Sequence, residues 1–142
     1  MPQISFPPDM LPIEKWKAFI GKYPPNSDTE HRIIIVYKHG NAIQYFYITS
    51  QIEKARKLLK HDIGALVDGI NGDDWEALTT NCCIRCNKAS LYNTSAEDLR
   101  KAYSENNLKV LGNIPEKIKR KIISAVCASK SFTDTEKAIY TT

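Results

Sequence analysis

Residues 31–51 read HRIIIVYKHGNAIQYFYITSQ, and no other stretch limits the fold as much. Ile33 to Tyr37 form an uninterrupted apolar run rich in β-branched residues, the pattern of a strand buried on both faces. Gly40 and Asn41 supply the turn chemistry of a tight hairpin, and a second strand runs from Ile43 to Thr49. Along that second strand Ile43, Tyr45, Tyr47 and Thr49 share one face, while Gln44, Phe46, Ile48 and Ser50 share the other. Polar groups stand where both strands leave the core: His31 and Arg32 at the entrance, Thr49 and Ser50 at the exit. The turn is expected to bring Arg32 and Thr49 together.

Around this hairpin the spacing predicts helices. PIEKWKAFIG has Pro12 at a first-turn position, Gly21 past the end, and Ile13, Trp16, Phe19 and Ile20 at near-helical intervals, so a helix is expected over 12–20. KYPPNSDTE reads as a loop. Residues 52–60 are expected to be helical with Ile52, Ala55, Leu58 and Leu59 on one side. The stretch 61–76 is rich in Gly and Asp, and its GINGDDWE (69–76) reads as a turn, with TTNCCIRCNKASLY as one or two strands. Ser95 with Asp98 resembles a capping box opening a helix through Tyr103. IPEKIKRKIISAVCAS carries an apolar stripe of Ile118, Ile122, Ala125 and Val126 with Lys117, Lys119, Arg120 and Lys121 outside it. TDTEKAIY is a last, weaker helical segment. Helices at the start, middle and end, with strands between, favour an antiparallel α+β domain.

The 142 residues suit one domain with one core. It divides into an N-terminal helix and loop extension (1–30), a barrel-like core (31–129) and a C-terminal tail (130–142). No apolar run is long enough to span a membrane, and MPQISFPPDM lacks a basic start and apolar centre, so a cytoplasmic protein with no membrane partner is expected. Cys82, Cys83, Cys86 and Cys127 form no regular framework and read as reduced thiols. Cys83 and Cys86 have the C-x-x-C spacing of zinc ligands, but no second pair completes four. Cys127 falls on the apolar helix face as a small hydrophobe.

The net charge of +4 is concentrated: residues 99–130 hold eight Lys or Arg against two acids. A polyanion such as RNA fits this asymmetry, as does a plain solvated helix face. Dinucleotide, Walker, H-E-x-x-H and G-x-S-x-G motifs are all absent from the sequence, so no cofactor or metal is expected. Any site would be built from Arg, Thr, Ser and His. His31 could exchange protons near neutral pH, and Tyr45 and Tyr47 could stack on unpaired bases.

Arg32 before an apolar strand, a short polar turn, and a second strand ending Y-I-T-S-Q resemble the MazF/PemK/Kid family of toxin ribonucleases. That family pairs R-P before a valine-rich strand with a later P-[IV]-T-S. CCIRCNKASLY followed by LGNIPEKIKRKIISAV continues the likeness through residue 129. Ile33 and Tyr47 stand where the family has prolines, and the family's N-terminal G-D-[IV] strand is not evident. The resemblance implies a small antiparallel SH3-like barrel with peripheral helices and a C-terminal helix. It further implies a homodimer, metal-free cleavage of single-stranded RNA, and neutralisation by an antitoxin. Arg32 would hold a phosphate and Thr49 a phosphate oxygen or the ribose hydroxyl; His31 or Glu30 would move protons, and Ser50 would be a lesser RNA contact. The alternative is a catalytically silent SH3-like module that binds nucleic acid or a peptide.

Overall fold

The computed structural model describes residues 6–23 and 29–142. Seven antiparallel strands form one sheet: β1 (Lys17–Gly21), β2 (His31–His39), β3 (Ala42–Thr49), β4 (Leu66–Ile70), β5 (Cys82–Arg85), β6 (Tyr92–Ser95) and β7 (Leu108–Asn113). Four helices accompany it: α1 (Ile52–Leu58), α2 (Ala96–Ser104), α3 (Glu116–Ala128) and α4 (Asp134–Tyr140). The order across the sheet is β4-β5-β3-β2-β1-β7, with β6 on β3 as well. The antiparallel α+β class is therefore present. Among the described residues no ladder joins β4 to β7 to close a barrel.

Strands β2 and β3 form the expected hairpin, and Gly40 takes the positive φ of 59° that its turn requires. Ile33 to Val36 are completely buried, because both sheet faces are covered. One face packs Ile34, Val36, Phe46, Ile48 and Ile84 against Ile118, Ile122, Ala125 and Val126 of α3. The other packs Phe19, Ile33, Ile35, Ile43 and Tyr45 against Ala96, Leu99 and Ala102 of α2. A third, smaller cluster lies under α1: Ala55, Leu59, Ala65, Leu66 and Cys83. Asn41 ties the hairpin tip to α2, its carbonyl accepting from the Ala96 amide at 2.9 Å and its side chain from the Glu97 amide at 3.0 Å. Ser95 caps α2 as expected, accepting from the Asp98 amide at 3.0 Å.

Several expectations are corrected. No helix spans 12–20: Trp16 sits at φ 69° and the chain then runs as β1, hydrogen-bonded between β2 and β7. Two ladders outweigh the propensity of a segment too short to hold a helix alone. Residues 17–21 are consequently inside the sheet rather than in an extension. Of the expected loop 22–30, residues 24–28 lie outside the described residues. β4 runs into the first two residues of GINGDDWE, the remainder of which turns at 72–74 as expected; its register slips between Val67 and Ile70 where Gly69 adopts φ 72°, letting Asp68 turn outward. Residues 108–113 form β7 beside β1. The helix expected in TDTEKAIY is present as α4, capped at Thr133 and docked by Tyr140, whose hydroxyl donates to Gln44 Oε1 at 2.6 Å. Leu58 is 57% exposed, off the buried side of α1, and Cys127 is exposed on α3.

Candidate functional site

The position of every hairpin side chain follows from one extra residue. Counting back from the Gly40–Asn41 turn, His39 pairs Ala42 and Tyr37 pairs Gln44. An unbroken ladder would then set Arg32 opposite Thr49. Between Ile35 and Tyr37 the register shifts, Val36 being the inserted residue, so that Ile33 pairs Tyr47 and Arg32 pairs Ile48. Because side chains alternate between faces, this one-residue bulge exchanges what stands beside Thr49. Continuing the register by one position sets His31, not Arg32, across from Thr49.

Arg32 consequently projects on the α3 side, where its Nε donates to the Ala77 carbonyl at 2.8 Å; Ala77 itself packs against that core. Thr49 pairs with Cys83 of β5 on the opposite side. The Thr49 hydroxyl accepts from the Gln51 amide at 3.1 Å, and Ser50, exposed beyond the strand end, lends its carbonyl to the Ile52 amide at 3.0 Å. Sequence pairing of Arg32 with Thr49 thus gives way to a different group.

That group is aromatic. His31 lies 5.0 Å from the Tyr47 ring, and Tyr47 meets Tyr92 of β6 edge-on at 4.5 Å. Tyr45 lies between them and Tyr23, with ring centroids 5.4 Å from Tyr47, 5.7 Å from Tyr92 and 6.0 Å from Tyr23. Only 2% of Tyr45 is exposed, so it backs the cluster and has no face for a base. Tyr92 is 37% exposed, and His31, Tyr47 and Thr49 are half-buried. The cluster is held by hydroxyls: Tyr47 donates to the Tyr23 carbonyl at 3.2 Å, and Tyr23 bonds Thr94. Burial raises the Tyr23, Tyr45 and Tyr47 phenols above the ordinary tyrosine range, so all three stay neutral under physiological conditions.

The guanidinium on this side belongs to Arg85. Since Ile48 pairs Ile84 and Thr49 pairs Cys83, Arg85 stands level with Tyr47 on the same face. It lines a small crevice of about 30 Å³ with Thr49, Gln51, Lys54 and Ala55. Sequence reasoning missed both Arg85 and Tyr92. The signal for Tyr92 was its place at the end of TTNCCIRCNKASLY, read as one or two strands; that for Arg85 required knowing which strand β5 joins.

The cysteines offer no ligand set. Cys83 belongs to the cluster under α1 and Cys86 to the α3 core, so the C-x-x-C pair points two ways. Burial pushes the Cys83 thiol up to about 11 and raises Cys86 further. Among the described residues no cluster of three or more His, Cys, Asp or Glu is placed to hold a metal ion, and no helix among them is long and apolar enough to cross a membrane. Comparison of the chain with protein-family models finds no match, and comparison with curated proteins finds none.

Proposed function

We propose that the chain binds single-stranded RNA on the tyrosine face and cleaves it without metal. The observation that carries this reading is the single sheet face presenting Tyr92, Tyr47, His31, Thr49 and Arg85 side by side. Half-exposed neutral rings suit unpaired bases, which stack on aromatic side chains irrespective of sequence. Arg85 and the Thr49 hydroxyl suit the phosphate that follows, and Lys54 adds charge at the rim.

In the reaction the ribose 2′-hydroxyl passes its proton to the His31 imidazole as its oxygen attacks the adjacent phosphorus. The bond from phosphorus to the 5′-oxygen breaks, leaving a 2′,3′-cyclic phosphate, and the departing oxygen takes a proton from Glu30 or water. Arg85 bears the growing phosphate charge, the task the resemblance would give to Arg32. The SH3-like barrel of that resemblance is supported by the way β3 divides its outer edge, Ala42–Tyr45 pairing with β6 and Ile48–Thr49 with β5. A homodimer and a neutralising antitoxin belong to the same reading.

The test is incubation of the purified chain with mixed single-stranded RNA in EDTA. Cleavage lost in His31→Ala and weakened in Thr49→Ala and Arg85→Ala, but kept in Arg32→Ala, is the expected result. The second reading, a silent RNA-binding module, is favoured by the capture of Arg32 at the Ala77 carbonyl. It predicts salt-sensitive binding without cleavage. Absence of both binding and cleavage overturns both.

A further inference from the structure

Among the described residues Trp16 is the one aromatic side chain carried on a left-handed backbone, at φ 69°, a conformation that an L residue of its size rarely takes. Two hydrogen bonds hold it there: its amide donates to the Ile35 carbonyl at 2.7 Å, and its carbonyl accepts from the Ile114 amide at 3.1 Å. Strain of this kind persists where the surroundings over-determine it, and it collects at ligand sites. The half-buried ring rests against the margin of the α3 core. Two ammonium groups lie over it, Lys15 Nζ at 5.4 Å and Lys119 Nζ at 5.5 Å from the ring centre.

Both lysines are half-buried, and among the described residues neither forms an ion pair. The acids that meet α3 near its start are engaged elsewhere, Glu116 with Arg120 at 3.6 Å and Asp74 with Lys117 at 2.6 Å. Lys15 is fixed by donating to the Ile139 carbonyl at 2.9 Å. Burial, and after it the field of Lys119, lowers the Lys15 pKa. Like charges held together and partly desolvated oppose one another, and an anion between them relieves both costs. The ring offsets only part of that cost.

We propose that Lys15 and Lys119, set over the Trp16 ring, bind a small oligophosphate, free or carried by a nucleotide, through its phosphates alone. A compact, multiply charged anion can bridge two converging ammoniums, each of which offers three donors. A base finds no room, because the ammoniums occupy the place over the ring that a stacked base would take. That separates this site from the open rings of the tyrosine face and argues against single-stranded RNA, whose bases seek a bare ring.

The site does not depend on the tyrosine face. Tripolyphosphate, magnesium-free ATP and adenosine are titrated into the full chain at constant ionic strength and followed by calorimetry. Tripolyphosphate and ATP should bind one to one with similar affinity, and adenosine should not bind. Lys119→Gln and Lys15→Gln should each weaken both phosphates at least about tenfold, the worth of one charge-assisted hydrogen bond. Lys117→Gln removes the same charge two residues away on α3 and should leave both affinities unchanged, as should Arg85→Ala on the tyrosine face. Circular dichroism verifies that the variants fold, and Lys119→Gln carries the test where Lys15→Gln loosens the contact to Ile139. Absence of saturable binding, indifference to both Lys15→Gln and Lys119→Gln, an equal loss in Lys117→Gln, a loss in Arg85→Ala, binding of adenosine, or displacement by single-stranded RNA without a terminal phosphate would each overturn the proposal.

Discussion

Strand β3 sends Phe46 and Ile48 to one face of the sheet and Tyr45 and Tyr47 to the other, and the two faces are finished differently. On the α3 face, aliphatic side chains meet aliphatic side chains from helix and sheet, and Phe132, just before α4, and Tyr140 at its end seal the margin. On the tyrosine face, α2 covers one end and α1 the other, and the gap between them is filled by rings, the hydroxyls of Tyr23 and Tyr47 bonding Thr94 and the Tyr23 carbonyl. A dry aliphatic interface maximises apolar area removed from water. A half-covered aromatic one gives up some of that area but keeps flat, neutral, partly wet surfaces available for a ligand. Under the proposed function the first face supplies stability and the second recognition.

The largest effect should come from breaking the first face. Ile122 is completely buried beneath the sheet, and Ile122→Ala should cost about 3 kcal/mol in denaturant unfolding, from lost transfer energy and the cavity left behind. Truncating the other face at Tyr92, Tyr92→Ala, should cost less than about 1 kcal/mol. Equal losses would erase the distinction between the faces.

The reciprocal experiment concerns binding. Tyr92→Ala should weaken single-stranded RNA by about 2 kcal/mol if one base stacks there, read as a shift in an anisotropy titration. Ile122→Ala, measured where it remains folded, should leave the affinity unchanged.

How far the sequence reveals this arrangement depends on whether the deciding contact is local. The β2–β3 hairpin is legible because Gly40, Asn41 and the Ile33–Val36 run lie within a few residues of one another, and α3 because its stripe repeats over three turns. β1, β4 and β7 are five or six residues long and exist through partners outside their own segments, so β1 reads locally as helix and β4 and β7 carry no strand signal of their own. The expected Arg32–Thr49 pairing turned on a single position. Reading Arg32 against Thr49 is what the turn alone predicts; Val36, as apolar as its neighbours, gives no sign that it bulges, yet it puts His31 there instead. Arg85 became visible only once β5 was known to join β3.

The two arginines sharpen the comparison further. Arg32→Ala leaves the Ala77 carbonyl without its donor and should lower stability by about 1 kcal/mol with no change in RNA affinity. Arg85→Ala should do the reverse, leaving stability nearly unchanged while reducing the slope of log affinity against log salt by about one. A cleavage defect in Arg32→Ala without any loss of stability would return Arg32 to the site.

The smallest effect is at the margin of the α3 face, where α4 is fastened by charge rather than by apolar packing alone. Glu136 accepts from the Thr133 amide at 2.9 Å and pairs with Lys88 at 2.6 Å. The Lys88 ammonium, foremost, and the Thr133 amide hold its carboxyl below the usual carboxylate range. A carboxyl whose folded pKa is depressed contributes stability that is present above its unfolded pKa and lost as pH falls through the folded one. Acidification below the ordinary glutamate range should therefore loosen α4 before it unfolds the sheet, seen as faster hydrogen exchange at the Thr133 and Lys137 amides. Glu136→Gln should remove that pH dependence. Lys88→Ala should move it to higher pH, because without the ammonium the carboxyl protonates sooner. The tyrosine face, whose Tyr23, Tyr45 and Tyr47 phenols are raised rather than lowered, should show no corresponding acid transition at those rings.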